Sequence, residues 1–158
     1  MANRKKTIFK AAGPEEIIKR RAQWEMEHAE YLKTFEGRGD VTKLSDGSYD
    51  VTGDVEDPSS LDFKGLAVKY GKVGRNFACG GTFDSLEGAP RLVGGNFSFH
   101  GELESLRGFP EEVRGDVLFI NHPIPGERPD ARRWVESDIR KVCGRVGGKV
   151  IVENHFGI

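Results

Sequence analysis

Residues 73–92 read VGRNFACGGTFDSLEGAPRL and residues 93–112 read VGGNFSFHGELESLRGFPEE, one twenty-residue block written nearly twice. Nine aligned positions are identical: Val73/Val93, Gly74/Gly94, Asn76/Asn96, Phe77/Phe97, Gly81/Gly101, Ser85/Ser105, Leu86/Leu106, Gly88/Gly108 and Pro90/Pro110. A third pass opens with Val113, Gly115, Asp116, Val117 and Phe119 before the pattern dissolves. A fixed period of this size implies stacked copies of one supersecondary unit, each burying its apolar edge against the next. Gly53-Asp54-Val55 aligns with Gly95-Asn96-Phe97, so a diverged copy precedes the clean ones over about residues 53–72.

Strand side chains alternate, so Phe97 and Phe99 share one face of the NFSFH segment while Asn96, Ser98 and His100 share the other. Stacking at period twenty then lines up inward columns Phe77, Phe97, Val117 and Cys79, Phe99, Phe119. The outward columns are Asn76, Asn96, Asp116; Ala78, Ser98, Leu118; and Gly80, His100, Ile120. The SLEGAP and SLRGFP segments form return legs in which Leu86 and Leu106 dip into the core. Gly88 and Gly108 turn there, and Pro90 and Pro110 stiffen an extended stretch. These legs are too short and glycine-broken for α-helices.

The flanks read differently. Residues 1–12 form a basic, flexible arm. Pro14 followed by Glu15 and Glu16 is a helix-start signal, and residues 13–36 form an amphipathic helix ending before Gly37. Ile17, Trp24, His28, Tyr31 and Phe35 make its stripe, which is expected to cap the open end of the stack. Asp46-Gly47 marks a turn, and residues 48–55 alternate as a strand. The repeat stack spans residues 45–124 and closes with a proline-bearing loop at Asn121-His122-Pro123. Residues 130–143 place Trp134, Val135, Ile139 and Val142 at helical spacing with Asp130 as N-cap. A short strand at residues 149–153 follows, so residues 129–158 form a C-terminal helix and strand cap. The expected fold is α+β, one domain over residues 1–158: a short solenoid of parallel strands with irregular return legs, flanked by two helices.

Strand, polar turn, S-L-x-G-x-P and V-x-G at a twenty-residue period resemble a short leucine-rich-repeat array. The units are most similar to those of uncharacterised bacteriophage proteins that read roughly V-G-G-D-F-x-C-S-x-N-x-L-T-S-L-E-G-A-P, and the resemblance covers residues 45–124. Gly81 and Gly101 stand where that family carries its polar-turn asparagine, and Asn121 alone keeps it. The resemblance implies repeat-mediated protein binding and a phage or host protein as partner. It supplies no catalytic residues.

Composition narrows the chemistry. Lys plus Arg total 24 against 25 Asp plus Glu, so no net charge drives the chain toward nucleic acid or a membrane. No stretch approaches the ~18 apolar residues of a span, no signal-peptide h-region opens the chain, and two cysteines without CxxC spacing read as reduced thiols of a cytoplasmic protein. His28, His100, His122 and His155 share no metal-ligand spacing, so no metal or other cofactor is expected. Glu102, Glu104 and Asp84 stand close enough in sequence to His100 and its neighbouring copy to suggest an acid/base pair, but repeat turns are routinely polar, and no catalytic residue is assigned. Gly74-Arg75-Asn76 and Gly94-Gly95-Asn96 lack the lysine and helix of a phosphate loop, and Arg38-Gly39-Asp40 sits in a polar linker. What remains is an outward strand face, with Ser98, His100, Leu118, Ile120 and Asn96 as candidate contacts for a protein partner. It is open whether Leu118 and Ile120 are exposed or lie beneath the C-terminal helix. Two other readings stay open: a virion component or homo-oligomer built by edge or helix pairing, and nucleic-acid binding through the basic N-terminal segment.

Overall fold

A computed structural model describes residues 13–58, 65–121 and 133–154. The basic arm, His122 and its loop, the Asp130 N-cap and His155 lie outside the described residues. The described residues form a parallel-strand solenoid of about three turns with two helices. In chain order the elements are α1 (Pro14–Glu36), β1 (Val41–Lys43), β2 (Tyr49–Val51), β3 (Val55–Glu56), β4 (Tyr70–Val73), β5 (Phe77–Phe83), β6 (Leu92–Val93), β7 (Phe97–Leu103), β8 (Glu112–Val113), β9 (Val117–Asn121), α2 (Glu136–Val142), β10 (Arg145–Val146) and β11 (Val150–Asn154).

The repeat produces two sheets where the sequence pointed to one row of strands. The long strands build a five-stranded sheet ordered β11-β9-β7-β5-β3, and the short ones a six-stranded sheet ordered β1-β2-β4-β6-β8-β10. All pairings are parallel except β1 with β2. The second sheet is marked by one residue per coil: Val73, Val93 and Val113 stack in register and are fully buried. The first sheet keeps the twenty-residue register, with Phe77 opposite Phe97 opposite Val117 and Cys79 opposite Phe99 opposite Phe119. Both columns point inward and are buried. Their rings form the core: Phe77 stacks on Phe97 at 5.8 Å, Phe99 on Phe119 at 5.1 Å, and Phe83 meets Phe99 edge-on at 5.4 Å between centroids. Such aromatic pairs contribute roughly 0.5–1.5 kcal/mol each beyond the area they bury.

The return legs carry no strand or helix between β5 and β6 or between β7 and β8, and Gly88 and Gly108 turn them at φ of 95° and 89°. A side chain is strained at that φ. Leu86 and Leu106 are buried beneath them.

Three local expectations change. The single strand over residues 48–55 is two strands in different sheets. The chain corners at Thr52, Gly53 and Asp54, where Thr52 N–H donates to Asp40 O at 3.0 Å, as every later coil corners before its long strand. The C-terminal helix is shorter than its periodicity and begins at Glu136. Trp134 stays extended because its N–H donates to Asn121 Oδ1 and its carbonyl accepts from Asn121 Nδ2, each at 3.0 Å, which removes those groups from helical pairing. Asp138 caps the shortened start by accepting from Val135 N–H at 3.1 Å. Finally, α2 and β10–β11 add a further coil to the stack: α2 stands in the return-leg position linking the long-strand sheet to the short-strand sheet, with Ile139 fully buried.

At the other end, only the C-terminal half of α1 lies on the solenoid. Phe35 is buried edge-on against Tyr49 and Tyr70 at 5.3 and 5.9 Å. His28 Nε2 donates to Ala67 O at 2.7 Å. Tyr70 donates its hydroxyl to the buried Asp57 carboxylate at 2.6 Å, which leaves Tyr31 to donate to Tyr70 at 2.9 Å. Ile17 continues the same stripe, but it lies beyond the solenoid and is 54% exposed.

Candidate functional site

The long-strand sheet turns one face inward and the other to solvent. Its outward residues fall into two in-register columns: Glu56, Ala78, Ser98, Leu118, Ile151 and Gly80, His100, Ile120, Glu153. At the ~4.8 Å spacing of paired strands, the first column runs about 19 Å across the sheet and the second about 14 Å. Toward the N-terminal end the face is small and neutral at Ala78 and Gly80; toward the C-terminal end it is apolar at Leu118, Ile120 and Ile151. Ser98, Leu118 and Ile120 are half-buried, His100 is exposed, and Ile151 is 38% exposed. α2 occupies the return-leg position between the two sheets, and Leu118 and Ile120 keep part of their surface exposed. Gly80 lets its strand approach the neighbouring one closely, since a Cβ there would stand 2.5 Å from the His100 carbonyl oxygen.

Asn96 belongs to a different structure. At each corner a side-chain oxygen accepts the backbone N–H of the equivalent residue one coil on. Asp54 accepts from Asn76 at 2.9 Å, and Asn76 from Asn96, Asn96 from Asp116 and Asp116 from Lys149 at 2.8 Å. This ladder satisfies corner donors that no strand pairing reaches. Lys149 brings no side-chain acceptor, so the ladder stops at the last coil. The sequence showed the column Asn76, Asn96, Asp116 but not its role, because an outward strand position and a corner position look alike in a period of twenty. Asn121, expected as the sole polar-turn asparagine, is buried and ties β9 to Trp134.

The acid/base constellation is not assembled on one accessible surface. Gly101 adopts φ of 151°, after which Glu102 is only 3% exposed, side by side with Thr82 in the neighbouring strand, while His100 points to solvent. Asp84 and Glu104 are exposed at the ends of their strands. Among the described residues no group of three or more His, Cys, Asp or Glu is placed to hold a metal ion. Cys79 and Cys143 are buried, and burial pushes both thiols up from their ordinary range, away from the thiolate that nucleophilic work needs. Arg38 and Asp40 clamp each other, Nε to Oδ1 at 2.9 Å and Nη2 to Oδ2 at 2.7 Å, and Arg38 also reaches the Asp54 carbonyl. Both ends of the Arg-Gly-Asp tripeptide are therefore engaged within the fold. No described helix is long and apolar enough to cross a membrane.

The short-strand sheet presents a shallow groove lined by Lys72, Arg91, Leu92, Glu112, Val142 and Arg145. Its charges alternate in sign along the register Lys72, Leu92, Glu112, Arg145, so it offers no field of one sign to a ligand. Set against known proteins, the chain matches no family model, no curated protein and no solved structure.

Proposed function

We propose that this chain is a non-enzymatic protein-binding module of the short leucine-rich-repeat kind, encoded by a bacteriophage and acting on a host or phage protein in the bacterial cytoplasm. The observation that carries the reading is the apolar end of the outward face. Leu118, Ile120 and Ile151 stand partly exposed on a sheet whose register is fixed by the repeat and whose other side is a close-packed aromatic core. Contiguous exposed apolar surface on an ordered sheet is the mark of an interaction site, and a rigid sheet keeps the entropic cost of binding low. His100 and Ser98 supply hydrogen-bonding groups beside it. The S-L-x-G-x-P legs and the V-x-G step support the leucine-rich-repeat and phage likeness. The test is affinity capture from bacterial lysate with wild type and a His100→Glu/Leu118→Glu variant. A partner held by wild type and lost by the variant supports the face; equal recovery of the same partner by both overturns it.

A further inference from the structure

β11 is an open edge of the long-strand sheet, with β9 on one side and no strand among the described residues on the other. It runs for five residues, whereas the other edge strands, β1, β3 and β10, have three, two and two. An open edge of this length is a template for another strand, and proteins that keep such edges apart use prolines, bulges or inward-pointing charges. β11 has none of these. Its register on β9 is unbroken, and its inward residues are Val150 and Val152. Val152 is only half-buried, although Phe99 and Phe119 of the same inward column are fully buried, because no described coil lies over it.

The groups along this edge restrict what can join it. The carbonyls of Lys149 and Glu153 face β9, where they accept from Val117 N–H at 2.8 Å and from Asn121 Nδ2 at 3.4 Å. Backbone direction alternates along a strand, so Val150, Val152 and Asn154 aim their N–H and C=O groups off the open edge. The run Lys149-Val150-Ile151-Val152-Glu153 is its own complement when reversed: Lys149 against Glu153, valine against valine, Ile151 against itself. Lys149 and Glu153 are both exposed. Lys149 also holds the corner place from which Asn96 and Asp116 reach the coil that follows them.

We propose that two copies of the chain pair antiparallel through β11, about a two-fold axis at Ile151. Val150 of one copy and Val152 of the other then exchange both backbone hydrogen bonds, once on each side of the axis. A one-residue slip would turn inward side chains to the wrong face, and a two-residue slip separates Lys149 from Glu153. Parity and charge together select one register. In it Lys149 faces Glu153 on both flanks, and opposite charges directly across an antiparallel pair attract. The contact is isologous and closes at a dimer. It joins the two long-strand sheets into one and brings Leu118 and Ile151 of one copy in line with Ile151 and Leu118 of the other. Pairing uses the edge and leaves the outward face uncovered, so the apolar ends of two faces become one patch.

The test is sedimentation equilibrium of the full chain. Wild type is expected to rise with concentration from 17.5 kDa toward twice that mass. Lys149→Glu and Glu153→Lys each make both flanking pairs repulsive, and each variant alone is expected to dimerise about tenfold or more weakly. An equimolar mixture of the two restores opposite charges on both flanks and recovers the dimer, a rescue that misfolded variants cannot give. Val152→Pro removes an N–H that the chain's own sheet does not use, and this chain, with unchanged circular dichroism, stays monomeric. Wild type that remains monomeric throughout, a charge variant that dimerises as tightly as wild type, a mixture that stays monomeric, or a Val152→Pro chain that dimerises overturns the pairing.

Discussion

Asn96 shows how one side chain can be read as function and turn out to have another job. Its oxygen holds the Asp116 N–H while the Asn76 oxygen holds its own. Replacing it with alanine breaks one rung and leaves an N–H at the corner without its acceptor. We expect Asn96→Ala to destabilise the fold by about 1 kcal/mol, read as a lower urea midpoint at unchanged slope. A contact residue of the outward face gives a different result: His100→Ala leaves the midpoint within about 0.5 kcal/mol of wild type, as exposed substitutions do. The inward columns were legible because alternation and period agreed on them, and Cys79 fell into the core as its column demanded. The ladder was not legible, since it depends on a corner whose position no periodicity marks.

Among the elements, α2 is the most informative departure. Its sequence carries helical spacing from Trp134 onward, yet the helix waits until Glu136 because Asn121 holds the Trp134 backbone from both sides. The Trp134 indole then donates to Leu103 O at 2.7 Å, satisfying the end of a strand one coil earlier. The tryptophan thus pins the last coil to the stack. Trp134→Phe keeps an aromatic ring but trades the indole for a smaller one without the donor, and leaves the Leu103 carbonyl buried without its partner. The expected cost is about 1–2 kcal/mol, seen by hydrogen exchange as earlier opening of β10 and β11, while β5 and β7 keep their protection until global unfolding. Equal loss of protection in all four strands rules out this local role. The short strands β6, β8 and β10 escaped the sequence reading for a simpler reason: two residues show no alternation, and only their stacked valines betray them.

On the scale of the whole molecule, α1 and the solenoid are joined by tyrosine hydroxyls. Tyr49 donates to Glu36, which pushes its pKa up to about 12. Burial, with the Asp57 charge adding to it, raises Tyr70; burial also raises Tyr31, against the lowering effect of its bond to Tyr70. An unfolded tyrosine ionises near pH 10. Groups whose folded pKa is raised stabilise fully below that pH and lose the contribution as pH climbs toward the folded value. The urea midpoint should therefore hold level from about pH 7 to 9 and fall between about 10 and 12, with tyrosinate absorbance appearing together with unfolding. Tyrosinate that forms at pH 10 with the fold intact contradicts this account of the α1 dock. The sequence by itself determined the period, the inward aromatic columns, the glycine turns of the return legs and the need for flanking helices. All of these follow from local alternation and from an apolar edge that must be covered. The tertiary structure alone decided that each coil contributes to two sheets, that the asparagines form a ladder, that α2 is a return leg, and how much of α1 lies on the solenoid. Those depend on which groups meet across a coil or between coils about twenty residues apart, a distance over which local patterns carry no information.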